Sequence, residues 1–187
     1  MDLGLTGRAA LVTGGSRGIG AATAILLVGE GAQVAITYRT NRCAAESVAN
    51  TIKRCGGEAA VVRLDLGDQA TIRAAADEVG SQWGRIDVLV NNAVDWAPVD
   101  VVQPAAFEDA PADAWQPLLR SNIDGTYVVI QAVLPWMRSG RWGRIVTVSS
   151  TVTDGIVNFG WYAAAKAALH GLTRTLAKEL GPAGILA

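Results

Sequence analysis

The chain has 187 residues, a formal net charge of −1 and a composition that is 50% hydrophobic and 18% charged. This length is enough for one domain with a buried core, and we treat residues 1–187 as a single domain. The charge favours neither a nucleic-acid partner nor an anionic membrane, and no apolar run reaches transmembrane length. Cys43 and Cys55 have no ligand-like spacing, which favours a cytoplasmic chain over a disulfide framework or a zinc site.

Predicted strands and helices alternate along the chain. The strands are 8–13, 33–38, 59–64, 87–90 and 144–149, and the helices are 18–29, 41–55, 68–83, 113–137 and 162–180. Residues 91–111 contain three prolines and read as a loop with space for a short helix. This alternation predicts an α/β fold, a doubly wound parallel sheet of the Rossmann type with helices on both faces. Its ligand should lie at the carboxyl ends of the strands.

The C-terminal residues 181–187 resemble a turn that enters a further strand without completing it. Five strands would leave the apolar residues 145–148 as an exposed edge, which is a liability for pairing with other chains. We therefore expect the C-terminal strands of the fold to be missing, so that the domain is incomplete at its C-terminus.

A glycine turn joins the first predicted strand to the first helix, in the order Gly14-Gly15-Ser16-Arg17-Gly18-Ile19-Gly20. Glycines allow a sharp bend and the close approach of a phosphate, and a helix N-terminus offers N–H groups and a positive dipole to that anion. The spacing is Gly-x-x-x-Gly-x-Gly instead of the usual dinucleotide fingerprint. Its place between a strand and a helix nevertheless predicts a nucleotide site.

A tyrosine and a lysine open the last predicted helix. Tyr162 and Lys166 are four residues apart and therefore share one helix face. A phenol ionises near pH ~10, and a neighbouring ammonium group lowers that pKa. Such a phenol can exchange a proton with a carbonyl or alcohol oxygen, and the alternative is an ordinary exposed helix pair.

Five motifs occur in one order: Thr13-Gly14-x-x-x-Gly18-x-Gly20, Asn91-Asn92-Ala93, Asn122, Ser149-Ser150 and Tyr162-x-x-x-Lys166. In these the chain resembles the classical short-chain dehydrogenase/reductase family, and within it the 3-oxoacyl-[acyl-carrier-protein] reductases. The resemblance implies an oxidoreductase that transfers hydride between a nicotinamide and a small carbonyl compound or secondary alcohol, for example a 3-oxoacyl thioester. It also implies that no metal is needed and that the long helices 113–137 and 162–180 form a homodimer or homotetramer.

The resemblance assigns roles to four catalytic residues. Tyr162 is the acid/base, Lys166 holds the nicotinamide ribose and lowers the pKa of Tyr162, and Asn122 holds a water of a proton relay. The serine that binds the substrate oxygen is Ser150 by strand register but Ser149 by the interval to the tyrosine. A one-residue deletion in the intervening loop reconciles the two counts and favours Ser150.

The resemblance also supplies the cofactor-binding set: Gly14, Ser16, Arg17, Gly18, Ile19, Gly20, Arg39, Asp65, Leu66, Asn91, Ala93, Tyr162 and Lys166. Within it, Asp65 binds the adenine amino group, and Asn91 stabilises the end of the sheet and lines the adenosine ribose side. An NAD enzyme usually has an acid at the end of the second strand, where this chain has Thr37-Tyr38-Arg39. Two guanidinium groups near the ribose suit a 2′-phosphate, which predicts NADP(H), although both arginines could be solvated surface charges.

One departure from the family pattern affects this cofactor. Val94 stands where the family has the glycine of Asn-Asn-Ala-Gly. A β-branched residue there is expected to weaken the cofactor's close approach, which keeps open a second hypothesis, a non-catalytic NADP-binding relative with a sensor or structural role. Trp96 and Trp161 either line a substrate pocket or pack in the core, and His170 is expected to pack or lie at the surface.

Overall fold

The computed structural model describes residues 3–96 and 105–187. Its strands are Ala9–Val12 (β1), Gln33–Tyr38 (β2), Ala59–Arg63 (β3), Val88–Asn91 (β4), Gly143–Thr147 (β5) and Ile185–Leu186 (β6). Its α-helices are Gly18–Gly29 (α1), Arg42–Arg54 (α2), Gln69–Trp83 (α3), Ala112–Arg120 (α4), Thr126–Gly140 (α5) and Gly160–Leu180 (α6). Short 3-10 turns occupy Phe107–Asp109, Thr151–Asp154 and Gly181–Ala183. Of the predicted loop 91–111, residues 97–104 lie outside the described residues.

Within the described ranges the strands form one parallel sheet with the order β3-β2-β1-β4-β5-β6. The strand order therefore reverses beside β1, which pairs with β2 on one side and β4 on the other. This arrangement confirms the doubly wound parallel sheet. A crevice for a ligand is expected where the order reverses, at the carboxyl ends of β1 and β4.

Two apolar layers hold the helices on the sheet, and β1 contributes to both. Leu11 faces a cluster that contains α3, α5 and α6, whereas Ala10 and Val12 face the opposite cluster with α1 and α2. Since both sides of the strand are covered, its sequence Ala-Ala-Leu-Val is apolar without alternation and all four residues are buried.

The expected five-strand sheet has a sixth strand, so the fifth strand is not an edge along its whole length, although residues 145–148 have no partner in the sixth strand. Ile185 and Leu186 form β6, which pairs in parallel with Gly143 and Arg144 of β5. The side chain of Ile185 is fully buried, and this burial secures a strand of only two residues. Val146 lies beyond the paired stretch and remains about half exposed.

The single helix expected over 113–137 is also wrong, because a π turn at Ser121–Gly125 separates α4 from α5. Two hydroxyl groups bond back to carbonyl oxygens around it: Ser121 Oγ donates to Leu118 O at 3.3 Å, and Thr126 Oγ1 donates to Asn122 O at 2.8 Å. Such side-chain bonds compete with the regular helical ladder. The wider turn is a feature that recurs at functional sites.

Candidate functional site

A cleft of about 610 Å³ lies at the carboxyl ends of β1, β2, β3 and β4. Nine of the predicted cofactor residues line it: Gly14, Ser16, Arg17, Gly18, Ile19, Arg39, Asp65, Leu66 and Ala93. Four do not, namely Gly20, Asn91, Tyr162 and Lys166. Val94 also lines the cleft, so the departure noted in the sequence faces this space.

The glycine turn forms a close-fitting cradle at one end of the cleft. Gly14 has a φ of +64°, and a Cβ there would lie 3.0 Å from the Ala93 Cα. A Cβ on Gly20 would lie 2.5 Å from the Gly14 carbonyl oxygen. Arg17, the N-cap of α1, makes no side-chain capping hydrogen bond. The first N–H groups of that helix therefore stay available to an anion in the cradle.

Thr13 and Asn92 fasten the glycine turn to the loop after β4. The buried Thr13 Oγ1 accepts hydrogen bonds from the N–H groups of Asn92 and Ala93, both at 3.0 Å, and donates to Val90 O. Asn92 Nδ2 donates to the carbonyl oxygens of Thr13 and Gly14 at 3.0 and 3.2 Å. Thr13 and Asn92 both lie within the motifs found in the sequence, but those motifs predict no role for either residue.

Asn91 differs from its expected place on the ribose side of the cleft. It is 6% exposed, and its Nδ2 is the one buried side-chain N or O atom in the described part of the chain without a hydrogen-bond partner. Strand alternation explains the difference, because Asn91 is the last residue of β4 and its side chain remains within the packed sheet. Its neighbour Asn92 lines the cleft instead.

Thr37, at the carboxyl end of β2, is a cleft residue that sequence reasoning missed. Its Oγ1 accepts a hydrogen bond from Gly14 N at 3.0 Å, and its carbonyl oxygen accepts one from Gly15 N. The only available signal was its position near the end of a strand that borders the glycine turn.

The two arginines that line the cleft differ in their partners. Arg17 is exposed on the glycine turn. Arg39 forms an ion pair with Asp95, which lies in the loop after β4. The pair joins the two sides of the cleft.

Asn122 holds the backbone of the same aspartate. Its Oδ1 accepts from Asp95 N at 3.0 Å, and its Nδ2 donates to Asp95 O at 2.9 Å and to Leu118 O at 2.9 Å. The side chain is 4% exposed. The π turn thus places Asn122 where its amide group fixes the rim of the cleft.

Ser150 and Ser149 have different partners. Ser150 forms a hydrogen bond with Tyr162, whereas Ser149 Oγ lies 2.6 Å from His170 Nε2 at the surface. Burial raises the pKa of Tyr162, and the hydrogen bond from Ser150 offsets part of that rise. The direction is opposite to the lowering expected from the sequence, because burial has a larger effect on the pKa than the hydrogen bond from Ser150.

Lys166 is 4% exposed, and burial lowers its pKa. Its Nζ donates to Val148 O at 2.6 Å and lies 5.7 Å from the centroid of the Tyr162 ring. The ammonium group is therefore directed to the end of β5 and lies over the tyrosine ring.

Trp96 links the cleft to this tyrosine. It lines the cleft, and its ring centroid lies 4.4 Å from that of Tyr162 and 5.7 Å from that of Trp161. The described residues thus bring Ser150, Tyr162 and Lys166 beside a glycine-lined cleft suited to a phosphate-bearing ligand. Within the same described ranges, no helix has both the length and the apolar character to cross a membrane.

Comparison with known proteins yields consistent matches. Residues 8–187 match the family described as short chain dehydrogenase. The 3-oxoacyl-[acyl-carrier-protein] reductase FabG of Pseudomonas aeruginosa PAO1 is 37% identical over 185 residues, which cover 98% of this chain and 72% of that protein. A short chain dehydrogenase of Burkholderia cenocepacia J2315, in complex with NADP, superimposes with a TM-score of 0.86 at 38% identity and covers 97% and 71% of the two chains. An NAD+-bound xylitol dehydrogenase superimposes with a TM-score of 0.88 at 32% identity and covers 97% and 68%.

Proposed function

The chain belongs to the short-chain dehydrogenase family and is similar to the FabG reductases within it, and we propose that it is an NADP(H)-dependent oxidoreductase. It would interconvert a carbonyl compound and the corresponding secondary alcohol. The observation that carries the proposal is the group formed by Ser150, Tyr162 and Lys166 beside the glycine-lined cleft. The names of the similar relatives point to a 3-oxoacyl thioester as one such carbonyl compound.

The cleft fits a dinucleotide, because glycines at the turn allow the backbone to approach a diphosphate closely. A Cβ at either cradle glycine, Gly14 or Gly20, would clash with backbone atoms or lie in tight contact with them. Backbone N–H groups of the turn and of α1 would hold the diphosphate, and Asp65 and Leu66 would line the adenine side. When bound, the nicotinamide supplies the hydride that adds to the carbonyl carbon.

Tyr162 is proposed to donate the proton to the carbonyl oxygen. The phenol is protonated at neutral pH and can therefore act as the acid in reduction, although burial, which raises its pKa, makes it a weaker acid. Ser150 donates its one hydroxyl proton to that phenol, and with a substrate bound it would turn the proton to the carbonyl oxygen as a second hydrogen bond there. The resulting phenolate would be stabilised by the Lys166 ammonium group.

The preference for NADP(H) depends on residues of this chain, since similar structures hold either cofactor. No carboxylate follows β2, where the sequence continues from Tyr38 to Arg39. Arg17 and Arg39 both line the cleft and are proposed to bind the 2′-phosphate. Asp95 pairs with Arg39 before the cofactor arrives and has to release it.

We also infer that the protein acts in the cytoplasm as a homodimer or homotetramer that pairs α5 and α6 across two-fold axes. The half-exposed Tyr127 on α5 supports this inference, because a large apolar ring at the surface is readily covered by a partner. Light scattering should give the mass of a dimer or tetramer, and a monomer would contradict the inference.

The test measures the binding of NADPH and NADH by fluorescence titration, together with turnover of carbonyl compounds. Arg39→Ala should weaken the binding of NADPH more than the binding of NADH. Tyr162→Phe should abolish reduction while the affinity for NADPH stays unchanged, because the substitution removes only the acid. Reduction that continues in Tyr162→Phe would refute the mechanism, and equal losses for both cofactors would refute the assignment of the 2′-phosphate.

A further inference from the structure

Two tryptophans lie against Tyr162, and a third aromatic side chain, that of Phe107, lies near the start of the same helix. Trp96 follows β4, Phe107 lies in a 3-10 turn, and Trp161 precedes the tyrosine on α6. The centroid distances from Tyr162 are 4.4 Å to Trp96 and 5.5 Å to Trp161, with the rings tilted. We name Trp96, Phe107 and Trp161 the aromatic wall.

Phe107 reaches the start of α6 without being covered there. Its Cε2 lies 3.2 Å from the position that a Cβ on Gly160 would take, yet the residue is 82% exposed. Val157 is 83% exposed and lies in the loop that leads into the same helix. Exposed apolar side chains near the start of the helix that carries Tyr162 indicate a surface for an apolar ligand.

The charge of the adjoining segments is negative. Glu108 and Asp109 directly follow Phe107, and Asp154 lies in the loop that leads from Ser150 to Trp161. Neither residues 105–113 nor residues 149–162 contain a lysine or an arginine. The nearby cation, the ammonium group of Lys166, is buried and donates to Val148 O. An anionic substrate would therefore meet the carboxylates of these two segments with no lysine or arginine of the same segments to offset them, which favours a neutral substrate.

We propose that the aromatic wall binds the ring of a neutral aryl ketone, or of the secondary alcohol formed from it, with the carbonyl oxygen at Tyr162 and Ser150. The proposal rests on the function given above for the carbonyl group, and it replaces the flexible acyl chain of a 3-oxoacyl thioester with a flat ring. Offset or edge-to-face contacts with Trp96 and Trp161 would then favour an aromatic ring over a saturated ring of similar size.

The matched ligands are acetophenone and cyclohexyl methyl ketone, which differ only in the aromaticity of the ring. Binding is measured by calorimetry on the full chain saturated with NADP+, so that no turnover is required, and kcat/KM is measured separately with NADPH. One aromatic contact is worth about 0.5–1.5 kcal/mol, so acetophenone should bind about 2- to 13-fold more tightly. Phenylglyoxylate, an aryl ketone with a carboxylate, should bind more weakly than acetophenone.

Variants identify the surface responsible. Trp96→Leu and Trp161→Leu should bring the two affinities close together, and Trp96→Phe should keep part of the preference. Trp142→Leu is the matched control, since Trp142 precedes β5 at the opposite end from Ser150 and packs against Arg8 and Arg144. Far-UV circular dichroism and thermal melting verify that each variant is folded, and Trp96→Phe keeps the test valid where a leucine variant does not fold.

The outcomes separate this proposal from the function on which it rests. Two results would overturn the proposal for the aromatic wall even where reduction depends on Tyr162. One is equal affinity for the two ketones, and the other is a preference for acetophenone that persists in folded Trp96 and Trp161 variants. Failure of acetophenone to bind would also overturn it. A preference for acetophenone that the tryptophan variants abolish supports the wall, and absence of any Tyr162-dependent reduction would then refute the proposed function alone.

Discussion

Replacing Asp95 with asparagine should increase the affinity for NADPH and leave that for NADH unchanged. Arg39 cannot keep its full ion pair with Asp95 and also hold the 2′-phosphate, so part of the binding energy of that phosphate is used to break the pair. NADH has no 2′-phosphate and does not compete for the guanidinium group. The substitution keeps the backbone of residue 95, whose N–H and carbonyl groups bond to Asn122.

The size of the effect follows from the exposure of the pair. The Arg39 side chain is 42% exposed and that of Asp95 is 16% exposed, so water screens the attraction on the arginine side. Exposed pairs of this kind are worth about 0.2–1 kcal/mol, which corresponds to about a 1.4- to 5-fold decrease in the Kd for NADPH. The effect should shrink as salt is added.

The assay is fluorescence titration of both cofactors with the wild type, Asp95→Asn and a control. Asp77→Asn is the matched control, because Asp77 is exposed on α3 and its replacement changes the net charge by the same amount. In an Arg39→Ala background the Asp95 substitution should have no effect. An unchanged Kd for NADPH, or equal changes for NADPH and NADH, would refute the competition.

Two further predictions concern the cradle and the catalytic tyrosine. Gly20→Ala should destabilise the protein by about 1–3 kcal/mol and weaken NADPH binding, because the new methyl group overlaps the glycine turn. The control is Gly29→Ala on the same helix, whose methyl group meets no atom within 4 Å and should not destabilise the protein. Thermal melts compare the two variants. Ser150→Ala should raise the pKa of Tyr162 further, because it removes the hydrogen bond that lowers this pKa, whereas Ser149→Ala should not. The pKa is measured by absorbance titration of the phenol above pH 10.0, with Tyr162→Phe as the blank. The pKa of Tyr162 is higher in the folded than in the unfolded protein, so the contribution of Tyr162 to stability is complete below the unfolded pKa and is lost as pH rises through the folded pKa. A Tyr162→Phe variant that loses as much stability at alkaline pH as the wild type would contradict this.

Local patterns were enough to predict most of the fold. Asn41 and Asp68, at which two of the predicted helices begin, cap α2 and α3 with their side chains, and the predicted bounds of α1 and β2 agree with those observed. These elements depend on apolar spacing and on caps, which act over a few residues.

The errors arose where distant contacts decide the structure. The sequence of residues 181–187 predicts the start of a further strand, but the pairing of that strand with β5 and the burial of Ile185 are not visible in local sequence. The π turn interrupts a sequence with regular helical spacing, and its side-chain bonds to Leu118 and Asn122 carbonyls are not visible in that spacing. Likewise, the aspartate that pairs with Arg39 is 56 residues away in the chain.

The same parallel topology has a consequence for the order of assembly during synthesis. Thr13 obtains its partners only when residues 90–93 have been made, about 80 positions later, so the glycine turn leaves the ribosome long before the loop that closes it. Until then β1 has β2 on one side only, and the opposite edge is bare. Closing such long loops is slow because their entropy has to be lost before the contacts form, and we expect folding in the millisecond-to-second range typical of non-local sheets. A chaperone that covers the free edge of β1 during this interval should increase the yield of folded chain.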